Sequence, residues 1–238
     1  MVMTFSSSAQ STMRRHTLQA VVPKGLIWYC PLTPWNYNSA GRYYYDLSGN
    51  GNNATNYSQT PVAYTNGRAN AVSGNFLTAN TNCLRCGTAS TFTLTNMSIA
   101  CWTYRNGTTT ADGTIIGKGY AASTPYDSYC LNANRGGGGK VSWEIGITVC
   151  DATITDPANT WTHYVGTYDG SKMILYVNGV SNNAVARSGA LSFSSWNFVV
   201  SGVPERASYY YNGRVDEGRL YDHALTPTDV TNLFKTGY

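Results

Sequence analysis

Charge is what this chain has least of. Only 12% of its 238 residues are Asp, Glu, Lys or Arg, and the glutamates are three, at Glu144, Glu205 and Glu217. So thin a charge excludes a protein of salt-bridged helices and leaves few carboxylates for acid–base chemistry. Histidine is equally scarce, with His16, His163 and His223 making the whole set. No apolar run approaches the roughly 20 residues that cross a bilayer as a helix, which argues against membrane insertion. The first two dozen residues lack the continuous apolar core of a secretory leader, so either a leader has been removed or the protein does not use that route. The six cysteines include one CxxC, Cys83 to Cys86, with neither a second CxxC nor a His pair after it, which argues against zinc. A core of this size needs no disulfide framework, and whether the thiols pair stays open.

The net charge of +4 is unevenly placed. Arg14, Arg15, Lys24 and Arg42 all precede the first acid, Asp46, and the rest of the chain is balanced. Nucleic-acid binders carry a denser basic patch, so the excess reads as an arm that settles on an acidic partner surface. Residues 1–24 have no apolar periodicity and are rich in Ser, Thr and Gln, so they are taken as an extended arm, with one folded domain over 25–238. In that reading Arg14, Arg15 and Lys24 anchor the arm to other subunits of a larger assembly, and the protein is expected to be oligomeric.

What the chain has in quantity is glycine (24), tyrosine (19) and 42% apolar residues. From Leu26 onward, short apolar runs alternate with Gly, Asn, Asp and Pro clusters, the pattern of an antiparallel β-sandwich. Strands are expected over 97–104, 113–118, 128–132, 140–149, 162–168, 173–177, 197–201 and 212–221. Asn178-Gly179 is a hairpin turn with positive φ at both positions. The glycine run 136–139 departs from the phosphate-loop pattern and reads as a hairpin loop. One short helix closes the chain, with Thr226 as cap, Pro227 first, Asp229 completing a capping box, Leu225 stapling onto Val230, and Gly237 as the stop. Val230, Leu233 and Phe234 form its apolar stripe, expected on the sandwich edge.

Seven fragments in order then resemble one superfamily: Gly25-Leu-Ile-Trp-Tyr29, Asp46 to Ala54, Met97 to Trp102, Ile115-Ile-Gly-Lys118, Trp161 to Gly170, Leu175-Tyr-Val-Asn-Gly179, and Tyr211 to Glu217 running into Tyr221 to Leu225. The resemblance is to laminin G-like, concanavalin A-like lectin-glucanase domains, and it implies an all-β antiparallel jelly-roll sandwich. The fold carries sugar-binding, adhesion, glycosidase and virion roles, so function has to come from the site.

A glucanase of this fold implies a Glu-x-Asp-x-Glu arrangement that none of the three glutamates forms, and Asp216 and Glu217 are adjacent, which a regular strand sends to opposite faces. The chain therefore reads as non-catalytic, with no cofactor required, and His163 reads as a satisfied strand histidine. Asp46, Ser48, Asn50 and Asn52 offer oxygens in a glycine-containing turn, and in similar domains Asp216 joins that loop around a structural calcium. The competing reading is that Asp46 and the asparagines bond their own backbone as Asx turns. For ligand or partner contact the candidates are Trp35, Tyr37, Tyr43, Tyr44, Tyr45, Tyr209, Tyr210 and Tyr211, with Tyr120 and Tyr126 also in expected loops.

The leading expectation from these readings is a recognition protein on the surface of a bacteriophage virion, a capsid decoration or tail component assembled in the host cytoplasm. The alternative is a secreted or cell-surface carbohydrate-binding lectin module. A glycosidase comes third.

Overall fold

Period-two alternation sorts the chain into two antiparallel sheets with apolar inner faces. The structure, a computed structural model, describes residues 24–57, 62–68, 72–77, 81–87, 89–107, 112–118, 129–134, 137–193, 195–203 and 209–236, and structural statements refer to these. Strands are numbered in chain order. The first sheet runs β15 (Val180–Ala186), β14 (Lys172–Val177), β13 (Trp161–Tyr168), β8 (Met97–Arg105), β17 (Gly213–Tyr221), β6 (Val72–Phe76) and β5 (Ala63–Asn66). Its eighth strand, β1 (Leu26–Cys30), lies along the C-terminal half of β17. The second sheet runs β12 (Thr148–Asp151), β11 (Val141–Ile145), β10 (Tyr129–Ala133), β9 (Gly113–Lys118), β16 (Phe198–Val200), β7 (Leu84–Cys86), β4 (Ala54–Asn56), β3 (Tyr43–Tyr44) and β2 (Tyr37–Asn38).

Met97, Ile99 and Cys101 of β8 point inward with Tyr164 and Tyr168 of β13 and Leu175 of β14. They meet Leu131, Val141, Trp143, Ile145, Phe198 and Val200 from the second sheet. Trp143 is fully buried and donates its indole N–H to Thr167 O at 3.0 Å. Its ring lies so close over Gly166 that a Cβ there would stand 2.4 Å from Trp143 Cδ2, so only glycine fits. A buried polar knot fixes one end of β8. Arg105 Nε meets Asp156 Oδ2 at 3.2 Å, a second guanidinium nitrogen donates to Asp156 O, and Tyr164 OH donates to Asp156 Oδ1 at 2.7 Å.

The expected sandwich is present, with local differences. The single strand expected over 140–149 is two, β11 and β12, because Gly146 adopts φ +58° and turns the chain back. Asn178 and Gly179 have φ of +49° and +81°, as the β14–β15 hairpin requires. β10 and β11 pair as a hairpin closed by Asn134 N donating to Lys140 O at 2.7 Å, as expected of the glycine run between them, of which Gly136 lies outside the described residues. The six cysteines are buried free thiols.

Helix α1 (Pro227–Thr236) forms with its capping box in place: Asp229 N donates to Thr226 Oγ1 at 3.2 Å, and Thr226 N donates to Asp229 Oδ2 at 3.0 Å. Gly237, expected as its stop, lies outside the described residues. The helix sits beside the edge strand β15, with Thr231 bonded to Gly179 in the β14–β15 turn, and reaches inward over the outer face of the first sheet. Leu225, Val230 and Leu233 pack on Ala100, Val165, Tyr176 and Tyr221, on the outer face of the first sheet, because four adjacent strands, β14, β13, β8 and β17, each turn an apolar or aromatic side chain outward there.

Candidate functional site

The β2–β3 hairpin divides the aromatic candidates between two faces. Tyr37 pairs with Tyr44 across the hairpin, their ring centroids 4.8 Å apart, and packs against the core, where Tyr44 is buried. Both belong to the interior rather than to a contact surface. Tyr43 and Tyr45 face the other way, edge to face at 5.1 Å, and Asn38 Nδ2 donates to their hydroxyls at 3.1 and 3.0 Å. The hydrogen bond with Tyr45 pushes the Tyr43 phenol above its ordinary value. Trp35, 40% exposed, sits in the 3-10 turn Pro34–Asn36 that enters this hairpin. Cross-strand pairing carries the same face onward from Tyr43 to Thr55 and from Thr55 to Arg85, whose guanidinium lies 3.9 Å over the ring of Tyr57, itself 46% exposed. The result is a half-exposed row of flat rings set among amide, hydroxyl and guanidinium groups. Thr55, Tyr57 and Arg85 escaped sequence reading because β4 and β7 are three residues each, too short to show a period.

The second tyrosine cluster is not a surface. Tyr211 is fully buried in the core, Tyr210 packs with Cys83 and Val199, and Tyr209 is half-buried with φ +60°. A turn followed by an inward strand position takes these rings inside. Tyr120 and Tyr126 lie outside the described residues, as do Arg14 and Arg15 of the expected arm, while Lys24 is exposed where the described chain begins.

The turn at Asp46 is closed on itself. Asp46 Oδ1 accepts from Tyr29 N at 3.1 Å and Ser48 N at 2.9 Å, and Oδ2 accepts from Ser48 Oγ and Asn52 N, both at 2.9 Å. Asn50 turns its amide nitrogen toward Leu26 O and Ile27 O at 3.1 and 3.0 Å. With N–H groups around the carboxylate, these residues do not fit a calcium ion; the arrangement is an Asx turn that locks β1 to the following loop. Asp216, the fifth expected ligand, stands elsewhere on the outer face of the first sheet, and no residue bonds to both carboxylates.

That outer face carries a polar strip that the sequence did not announce. Asp216 of β17 pairs across with Trp102 of β8, and Trp102 with His163 of β13, so the three side chains form one row. All three are buried, as is Arg219. Arg68 lies 4.3 Å over the Trp102 ring, and Phe234 of α1 stacks on it at 5.5 Å. Asp216 Oδ1, both ring nitrogens of His163, Trp102 Nε1, Arg219 Nε and Tyr221 OH have no hydrogen-bond partner. A buried polar group left so costs about 1–3 kcal/mol. His163 is thus buried but unsatisfied, unlike the satisfied strand histidine expected. Burial, with Arg219 and Arg68 nearby, pulls its pKa down to about 3, while burial and then the Glu217 charge push Asp216 up to about 8.

Glu217 does not take the face opposite to Asp216. The register shifts between Asp216 and Arg219 and Glu217 adopts φ +55°, so its Oε2 accepts from Tyr29 OH at 2.7 Å and pairs with Arg219 at 2.5 Å on the same outer side. Glu144 accepts from Asn132 Nδ2 at 3.2 Å, on the outer face of the other sheet, and Glu205 lies outside the described residues. Glu144 and Glu217 therefore stand on opposite outsides of the sandwich, and no sugar bond fits between them.

Comparison with known proteins agrees with this architecture. Residues 78–231 match the sequence profile described as the concanavalin A-like lectin/glucanases superfamily. Over 89 residues, 35% of the chain, it is 30% identical to the human adhesion G-protein coupled receptor D1, of whose length it spans about a tenth. Domain 4 of an extracellular arabinanase from Geobacillus stearothermophilus, solved with arabinotriose, superposes with a TM-score of 0.66 at 21% identity, over 88% of this chain and 98% of that one. The binding domain of Paraclostridial Mosquitocidal Protein 1 gives 0.66 at 16% identity, over 90% of this chain and 52% of that one. A Trypanosoma rangeli sialidase, with 38% of its chain covered against 97% of this one, gives 0.68 at 12%. At these identities the structural likeness speaks for the fold.

Proposed function

The chain belongs to the concanavalin A-like lectin/glucanases superfamily, and on that premise we propose that it is a non-catalytic carbohydrate-binding module acting outside the cell or at a surface. The observation that carries this is the half-exposed row of Tyr43, Tyr45 and Tyr57 with Asn38, Thr55 and Arg85, entered past the exposed Trp35. Flat rings hold the apolar faces of a sugar, and amide, hydroxyl and guanidinium groups around them hydrogen-bond its hydroxyls. The arabinotriose bound to the similar arabinanase domain and the adhesion receptor among the relatives support such a role. The separation of Glu144 from Glu217 supports binding without cleavage.

A virion role draws no support from the proteins named above, and the arm on which it rested lies outside the described residues. Glycan-array screening followed by calorimetry tests the carbohydrate reading. At least one oligosaccharide, arabino-oligosaccharides among those arrayed, is expected to bind, and Trp35→Ala and Tyr43→Ala are each expected to weaken it about tenfold with the fold intact. A blank array, or binding indifferent to both substitutions, overturns the proposal.

A further inference from the structure

The carbohydrate-binding row on the second sheet leaves the polar strip on the first sheet without a role. Six unpartnered polar atoms there, on Asp216, His163, Trp102, Arg219 and Tyr221, are buried together, whereas native interiors leave few such groups and scatter them. Trp102 and His163 are covered from the side of the helix. Among the described residues the ring of Phe234 lies 5.5 Å from Trp102 and 6.1 Å from His163, and Arg68 lies over Trp102.

Helix α1 is fastened unevenly. Its entry is tied to β8, where Leu225 N donates to Ser98 Oγ and Ser98 Oγ to His223 O, both at 2.8 Å, and the capping box follows. Beyond Thr231, which donates to Gly179 O at 3.1 Å, the last turn is held by Leu233, packed on the apolar cluster, and by Phe234.

We propose that the last turn of α1 is a lid hinged at its capped start, which closes over the Asp216, Trp102 and His163 row through Phe234 and uncovers it when it lifts. Lifting hydrates groups that the closed state leaves without partners, so the polar strip opposes the apolar contacts of the helix and lowers the cost of opening. Uncovered, the row is an indole face flanked by carboxyl, imidazole and guanidinium groups. That side-chain set suits a second sugar, a step that rests on the carbohydrate-binding reading, whereas the lid itself does not.

His163 and Asp216 pull the opening in opposite directions as pH changes. Arg219 and Arg68 act on His163 directly, Asp216 stands in the same row with the Glu217 charge acting on it, and Tyr221 on the same face feels Arg219, Asp229 and Glu217. The closed state holds the imidazole neutral down to about pH 3, and a solvated imidazole takes a proton near pH 6.5. Through His163 opening is favoured as pH falls through that interval, whereas Asp216, which holds its proton up to about pH 8 when buried, favours closure over the same fall. The His163 share is therefore the difference between the wild type and a variant without the imidazole.

Hydrogen exchange of amides 231–236 in the full chain, corrected for intrinsic rates, tests this, because a detached helix of ten residues does not persist in water. Between pH 7.5 and pH 5, the ratio of opening in the wild type to opening in His163→Gln is expected to rise about thirtyfold, the Asp216 response being common to both. Phe234→Ala is expected to raise it about tenfold at pH 7.5 while leaving the inner strand β14 protected. Exchange of 231–236 only at the rate of β14, no response to Phe234→Ala, or a pH response unchanged in His163→Gln would each overturn the lid.

Discussion

Replacing Gly166 by alanine tests whether the two sheets are packed as tightly as Trp143 implies. The new Cβ would lie 2.4 Å from Trp143 Cδ2 and 2.7 Å from both Cγ and Cε3, inside any carbon–carbon contact. The ring has nowhere to retreat, since it is fully buried and pinned by its bond to Thr167 O on the neighbouring residue. Overpacking costs about 1–3 kcal/mol, and loss of the indole bond adds about 1 kcal/mol. Against this stands a gain of about 0.4–1 kcal/mol from the stiffer unfolded chain. The net, about 1–3 kcal/mol, should lower the melting midpoint by roughly 2–12 °C in a chain of this size. Urea unfolding with calorimetry measures it. Because the three nearest atoms all belong to the indole, Trp143→Phe should relieve much of the clash, so the double variant should be more stable than the two losses added together. A neutral Gly166→Ala, or strictly additive losses, would refute the packing argument.

Two further outcomes follow from buried charge. Asp156→Ala strands Arg105 without its carboxylate at the end of β8 and removes the acceptor of Tyr164 OH, so a loss of about 3–5 kcal/mol is expected in chemical unfolding. Asp216, whose pKa is raised to about 8 in the fold from 3.8, keeps its proton longer when folded; its contribution is full below about pH 4 and is lost as pH rises toward 8. His163 acts in the opposite sense chiefly below about pH 6.5, and Lys118, lowered to about 8 by burial, acts in the opposite sense as pH approaches 8, so the Asp216 share between 6.5 and 8 is the difference from Asp216→Asn. Stability there should fall by up to about 2 kcal/mol in the wild type, and much less in Asp216→Asn, when unfolding free energy is measured against pH.

The sandwich was legible because its cause is local. Alternation in Met173 to Val177, positive φ at Asn178-Gly179, and the Thr226, Pro227 and Asp229 start of the helix each express a preference of neighbouring residues. Where the local rule has an exception, the reading slipped. Gly146 broke a strand in two, and a positive φ at Glu217 put two carboxyls on one side that alternation had assigned to opposite faces.

Composition and residue order alone determined a two-sheet antiparallel fold of this superfamily, its capped closing helix, and the lack of a glucanase-like acid pattern. Which tyrosines reach solvent was a tertiary decision. Tyr43 and Tyr44 are neighbours of the same type, yet the pleat turns one outward and one into the core. The row from Tyr43 through Thr55 to Arg85 and that from Asp216 through Trp102 to His163 each join strands distant in sequence. Such rows are fixed by register between strands, and register is set by the burial of whole faces, which no short stretch of sequence contains.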